Sequence, residues 1–161
     1  MIIVSNATPL IGLAVIGRFN LLQQLFGQIQ IAQAVYDEVI IYDSERGGAR
    51  DEVLSANWIN IIQVMNRKAV NDLCDELDLG EAETIVLAQE SEATWVLMDE
   101  KKGRHKLDAF GLNKIGTADI LLEAKRFGLL SQIRPDLELL RRYGFRLSQP
   151  VMNAVLRQAN E

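Results

Sequence analysis

The sequence predicts an α/β fold built around a mainly parallel sheet, and three observations carry that expectation. Short apolar runs of strand length alternate with longer stretches whose apolar residues recur at helical spacing, the pattern of β-α units. The run Trp95 to Met98 ends in Asp99, as a central strand does when it carries an acid at its carboxyl end. The 161 residues, 48% hydrophobic and 24% charged, suit one globular domain with a real core.

Taken in order, Ile2-Ile3-Val4 reads as a buried first strand. From Thr8 to Ile16 apolar residues fall at helical spacing, and Pro9 suits a first turn, where its missing N–H costs nothing. Phe19 to Phe26 reads as a short helix closed by Gly27. A strand at Ile29 to Ile31 precedes a helix at Ala34 to Ile41, with Val35, Val39 and Ile40 as its apolar side. Tyr42 to Ala49, with Gly47-Gly48, is the best loop candidate. Trp58 to Val64 reads as a strand, since Ile59, Ile61 and Ile62 supply β-branched bulk. Helices are expected at Arg67 to Leu77 and Gly80 to Gln89. A last short strand at Lys114-Ile115 leads to a helix that Thr117 opens and that reaches Phe127. Two more helices, within about residues 135–158, pack on or append to a single domain spanning 1–161.

Composition excludes several kinds of protein. One cysteine, Cys74, cannot form an internal disulfide, and with one histidine, His105, it cannot build a zinc site. Any metal here would be a hard one held by oxygen. The N-terminus opens directly into an apolar strand, without a basic leader, and no apolar run approaches the ~20 residues of a spanning helix. A soluble, cytoplasmic protein without membrane contact is expected. The net charge of −5 counts against nonspecific nucleic-acid binding. Its distribution counts for more, because the basic run Lys101 to Lys106 directly follows Asp99-Glu100. Alone, such a run reads as a solvated loop or helix face; beside an acidic pair it gains a functional reading.

Open α/β sheets bind ligands outside the carboxyl ends of their strands. Ser5-Asn6 and Asp99-Glu100 fall at two such ends. Glu38 lies among apolar residues of a helix, and Glu81 and Glu83 open another. Singly, each acid has a structural explanation: a carboxylate in a first helical turn gains about 0.3–1 kcal/mol from the dipole. Together they would repel by about 4 kcal/mol per pair at 4 Å and an effective dielectric of 20, unless protons or a cation intervened. An acidic, oxygen-rich centre suits Mg²⁺ or Mn²⁺ and the in-line displacement of a phosphodiester.

Several segments in order resemble a subgroup of bacterial and archaeal PIN-domain proteins. They are Ile3-Val4-Ser5-Asn6-Ala7-Thr8-Pro9-Leu10-Ile11, Leu25-Phe26-Gly27, Ala34 to Val39, Leu79-Gly80-Glu81-Ala82-Glu83, Val96 to Glu100 with Gly103-Arg104, Ile115-Gly116-Thr117, Leu121 to Lys125, and Gly144-Phe145. The resemblance covers nearly the whole chain and implies a three-layer α/β/α fold. It also implies a Mg²⁺- or Mn²⁺-dependent ribonuclease, with many such proteins being VapC-like toxins of toxin–antitoxin pairs. Carried over by position, Glu38, Asp99 and one of Glu81 and Glu83 bind metal. Glu81 fits better by its distance along the chain to Asp99, and Glu83 belongs to the same Gly-Glu-Ala-Glu pattern, so both stay candidates. Thr8 and Thr117 would orient water or simply open helices. Asn6 departs from the aspartate usual after the first strand, so the site loses one unit of negative charge and affinity for metal should fall. Lys101, Lys102 and Arg104 would contact RNA. A small antitoxin protein and a homodimer are the expected partners, with the apolar stretch Leu10 to Ile16 serving as core or as dimer surface.

Two other readings compete. Asn6 favours a PIN module that binds without cutting. A nucleotide-binding domain would need a glycine loop after the first strand, and Ser5-Asn6-Ala7-Thr8-Pro9 has none.

Overall fold

A computed structural model describes residues 1–46 and 48–161, and the side chains of all of these except 42–46. The chain runs β1 (Ile3–Ser5), α1 (Ala7–Val15), α2 (Asn20–Phe26), β2 (Ile29–Ala32), α3 (Gln33–Arg46), α4 (Ala49–Ser55), β3 (Ile59–Ile62) and α5 (Arg67–Leu73). It continues through α6 (Leu79–Glu90), β4 (Trp95–Leu97), α7 (Lys101–Ala109), β5 (Lys114–Ile115), α8 (Thr117–Arg126), α9 (Arg134–Arg142) and α10 (Gln149–Gln158).

All strand pairs are parallel, in the order β3-β2-β1-β4-β5. The chain therefore builds outward from β1 through β2 to β3, then returns to the other flank of β1. That reversal, between β1 and β4, is the position where open α/β sheets hold ligands. Ile3, Val4 and Ser5 stand opposite Trp95, Val96 and Leu97, and the Asn6 N–H extends the pairing to the Leu97 carbonyl at 3.0 Å. Both carboxyl ends thus stop at the same level.

Helices cover both faces of the sheet in three layers. On one side α6 lies against β1, β2 and β4 with α5 and α7 beside it; α2 lies on β2 and contacts α8, which α1 and α10 also touch. Strand residues Ile3, Val4, Ile29, Ile31, Val96 and Leu97 are all buried, as expected where helices close a parallel sheet from both sides. From Gly80 to Ala88 every residue of α6 is buried, including Glu81 and Glu83. Two acids inside a central helix call for partners of their own.

Several elements differ from the expectation. The 42–46 backbone continues α3 instead of forming a loop; Gly47 lies outside the described residues, and α4 begins at Ala49. Its sequence carries too few apolar residues to show a period, yet buried Ala49 and Val53 seat it against α3 and α1. The strand at β3 keeps only Ile59–Ile62, with Asn60 and Ile61 exposed as befits a sheet edge. The helix expected to reach Leu77 stops at Leu73. Lys101–Ala109 is a helix with only Gly103 and Leu107 buried. At the end of the chain, Phe145 closes on Gly12 of α1, where a Cβ would stand 3.1 Å from the ring, and Asp136 pairs with Arg18 at 3.2 Å. No helix of the described residues is long and apolar enough to cross a membrane.

Candidate functional site

Four helices, α1, α6, α7 and α8, begin around the carboxyl ends of β1 and β4, and residues at their starts make the site together with Glu38 from within α3. Asn6 stands at the N-cap of α1 but does not cap it. Its amide Nδ2 instead donates to Glu100 Oε2 at 3.0 Å and to Met98 Sδ at 3.4 Å. The Thr8 hydroxyl donates to the other Glu100 oxygen. Glu100 in turn is the N-cap residue of α7 without capping it. Asn6, a residue type suited to capping its own helix, is therefore spent on Glu100, across the gap between strands.

Asp99 rests on the start of α8. The Thr117 N–H donates to Asp99 Oδ1 at 2.8 Å and the Thr117 hydroxyl to Oδ2 at 2.6 Å. Gly116 lets the two segments approach this closely, since a Cβ there would lie 3.1 Å from Asp99 Oδ1 and 3.2 Å from Arg104 Nη1. Burial pushes the Asp99 carboxyl up from its ordinary value; the bonds from Thr117 oppose this, Glu100 adds to it, and Arg104 opposes it. The Arg104 guanidinium also donates to the Met98 carbonyl at 2.8 Å, so it braces the turn that carries Asp99.

The start of α6 supplies the third group. Asp78 and Glu81 form a reciprocal cap: the Glu81 N–H donates to Asp78 Oδ1 at 2.8 Å, and the Asp78 N–H donates to Glu81 Oε1 at 3.1 Å. A Cβ on Gly80 would lie 3.5 Å from Asp78 Oδ1, 3.5 Å from Glu38 Oε1 and 3.7 Å from Asn6 Oδ1, so three oxygens from three elements ring one glycine. Glu38 is pushed up to about 7 by loss of solvent at its carboxyl, then by the charges of Asp78 and Glu100. Glu81 is likewise pushed up to about 7, by burial first; the Asp78 backbone N–H opposes this, and the Asp78 side chain and Glu100 add to it.

Glu83 stands elsewhere. Two residues along a helix of 3.6 residues per turn turn it about 200° away from Glu81. There it accepts from the Ala34 N–H at 3.0 Å and from Arg67 Nη1 at 2.9 Å. Its carboxylate ties the first turn of α3 to α6, one turn before Glu38.

Of the residues singled out in the sequence, Asn6, Glu38, Glu81 and Asp99 thus share one region, and Glu83 faces another. Glu100, singled out only as the neighbour of Asp99 in the strand-end pair, joins it, and so do Asp78 and Asp119, which were not singled out; Asp119 accepts from the Gly116 N–H at 3.2 Å. Asp78 was detectable as the first residue of a D-x-x-E capping box, whereas Glu100 shows no local signal beyond its place next to Asp99. Lys101 and Lys102 are exposed in the first turn of α7, the positive end of the helix dipole, where cations are disfavoured. Arg104 is half-buried and engaged with Met98 and Asp99.

The donors are all hard oxygens, and Glu38, Glu81 and Asp99 hold their protons more tightly than usual, so in type and charge they fit a hard divalent cation. Among the described residues no three acid, histidine or cysteine side chains stand at ligating spacing. Neutral donors serve two of the carboxylates: Thr8 and Asn6 at Glu100, and Thr117 at Asp99.

The sequence model of a family described as a PIN domain matches residues 2–161. No curated protein matches the chain.

Proposed function

The chain belongs to the PIN-domain family, and from that premise we propose that it is a metal-dependent endoribonuclease hydrolysing RNA phosphodiester bonds. The observation that carries this reading is the gathering of Asn6, Glu38, Glu81 and Asp99 at the reversal of strand order, with Glu38 and Glu81 pushed up to about 7. In this reading Glu38, Glu81 and Asp99 hold a Mg²⁺ or Mn²⁺ ion with the Asn6 Oδ1, and Glu100 adds charge beside them. When bound, such an ion polarises a phosphoryl oxygen and makes water a better nucleophile at neutral pH. Thr117 holds the Asp99 carboxylate in one orientation through both oxygens. Glu38 and Glu81, held near 7 without metal, give up their protons as the ion binds. Lys101 and Lys102 hold the RNA backbone next to the acids without reading its sequence.

Glu81 is the ligand of the pair in this reading, and Glu83 a positioning residue. Glu81→Gln is expected to lower RNA cleavage by about 100-fold or more with little change in melting temperature. Glu83→Ala is expected to destabilise the protein by about 1–3 kcal/mol, because the half-buried Ala34 N–H and the Arg67 guanidinium lose their acceptor. Melting curves beside cleavage assays on a pool of structured RNAs, with and without EDTA, check both. Cleavage that survives EDTA would remove the metal from the account.

The same reading makes the chain the toxin of a toxin–antitoxin pair, a cytoplasmic homodimer whose acidic groove a small antitoxin protein covers. One observation favours a second reading, a module that binds without cutting: the Asn6 amide already neutralises part of the charge on Glu100.

A further inference from the structure

Charge is distributed unevenly along this chain. Residues 125–161 hold seven of the 17 Lys and Arg but only three of the 22 Asp and Glu, a net of +4 against −9 for residues 1–124. Two of those three acids are used inside the fold. Asp136 is buried against Arg18, and Glu161 accepts from Lys125 Nζ at 3.0 Å and from the Ile133 and Arg134 N–H groups at 2.9 and 3.1 Å. Glu138 remains on the surface, one helical turn from Arg134 and from Arg142.

Helical spacing then draws a line of donors. Arg134 and Arg141 are seven residues apart on α9, while Gln149, Asn153 and Arg157 follow at intervals of four on α10, so each set shares a face. Contacts join the two faces into one seam. At one end the Arg141 guanidinium donates to Gln149 Oε1 at 3.2 Å and to the Leu147 carbonyl at 2.7 Å. At the other, Arg134 donates to the Glu161 carbonyl at 2.9 Å, and between them Gln149 Nε2 donates to Asn153 Oδ1 at 2.9 Å. Arg134, Asn153, Leu156, Arg157 and Glu161 line an open cleft of about 310 Å³. Arg157 is exposed there and has no ion pair among the described residues.

At 1.5 Å per residue the seam from Gln149 to Arg157 is about 12 Å long. The same rise places Lys125, which holds Glu161, about 12 Å along α8 from Thr117, which holds Asp99. One helix therefore spans from the acidic centre to the basic seam.

We propose that the α9–α10 seam is a second RNA-holding surface, gripping the phosphodiester backbone of a single-stranded segment that extends from the acidic centre. The proposal rests on the reading that this chain acts on RNA. Its chemistry is that of phosphate recognition: guanidinium forks and side-chain amides, all able to donate, with Leu156 the one apolar side chain among the described residues lining the cleft. A strand drawn toward a centre rich in carboxylates is repelled by it, and a cationic grip on the far side of α8 offsets that repulsion.

The test is fluorescence anisotropy of a labelled, unstructured RNA oligonucleotide with the full chain in EDTA, across a salt series. Arg157→Glu is expected to weaken binding about tenfold near 0.1 M salt and to flatten the log–log salt slope by about 0.7–1.4, one or two phosphate contacts. Lys68→Glu, an equal charge change on α5, is expected to alter affinity by less than about threefold. Equal effects of the two variants, or RNA binding that depends on Lys101 and Lys102 and ignores Arg157, would overturn the seam while leaving the RNA reading intact. Failure of the parent protein to bind any RNA would overturn both.

Discussion

Asn6→Asp is expected to tighten Mg²⁺ binding by about 10- to 100-fold and to lower the stability of the metal-free protein. The Asn6 amide is a neutral donor 3.0 Å from a Glu100 oxygen. Aspartate would replace that hydrogen bond by a second carboxylate, and two unit charges about 4 Å apart repel by about 4 kcal/mol at an effective dielectric of 20. The strain disappears when a cation lies between them, and the added charge then strengthens the hold on the ion. Calorimetric titration and melting curves with and without Mg²⁺ give both halves of the effect. The variant should melt several degrees lower than the parent without metal and close to it, or above it, with metal. Equal affinity and equal melting would mean that Asn6 does not face the bound ion.

Raising the pH from about 5 to about 8 without metal is expected to lower the melting temperature by about 5 °C. Glu38 and Glu81 are held up near 7 in the folded protein, against about 4.5 when unfolded. Between those values the folded state binds more protons than the unfolded state, so stability falls as pH rises. The contribution is full below about 4.5 and lost above about 7. Glu38 is open to solvent on one side, which reduces its share. Glu161, held below its ordinary value, acts in the opposite sense, and its contribution is lost as pH falls below 4.5. Mg²⁺ affinity should climb through the same window, because binding displaces the retained protons. Melting curves at five pH values with and without Mg²⁺ check this, and Glu81→Gln should flatten the metal-free curve. A melting temperature that rises from pH 5 to pH 8 without metal would contradict it.

Much of this architecture is legible in the sequence for a plain reason. Parallel strands buried on both faces appear as unbroken apolar runs, so Ile3-Val4 and Val96-Leu97 announce themselves and the acids that follow them mark their ends. The helix α6 was readable through its Gly-Glu-Ala-Glu start. What the order of residues does not contain is direction: Glu81 and Glu83 are equivalent acids in a first turn until α3 and Arg67 are packed beside one of them. Glu100 is legible as half of the strand-end pair, but not its engagement, because its partners Asn6 and Thr8 lie more than 90 residues away. The short helix α4 owes its form to the packing of Ala49 and Val53, and Gly48 stays a bend before it with a φ of 112°. Arg104 shows the converse, a cation read as an RNA contact that is also bound to the backbone beside Asp99.

The most direct measurement is calorimetric titration of Mg²⁺ and Mn²⁺ into the parent protein and into Asp99→Asn, with RNA cleavage followed in the same samples. The account predicts a measurable affinity in the parent that falls by about 100-fold or more in the variant, with cleavage lost alongside it. Equal binding in both proteins, or none in either, would contradict the metal centre and turn the acids into caps and braces of the helices that begin there.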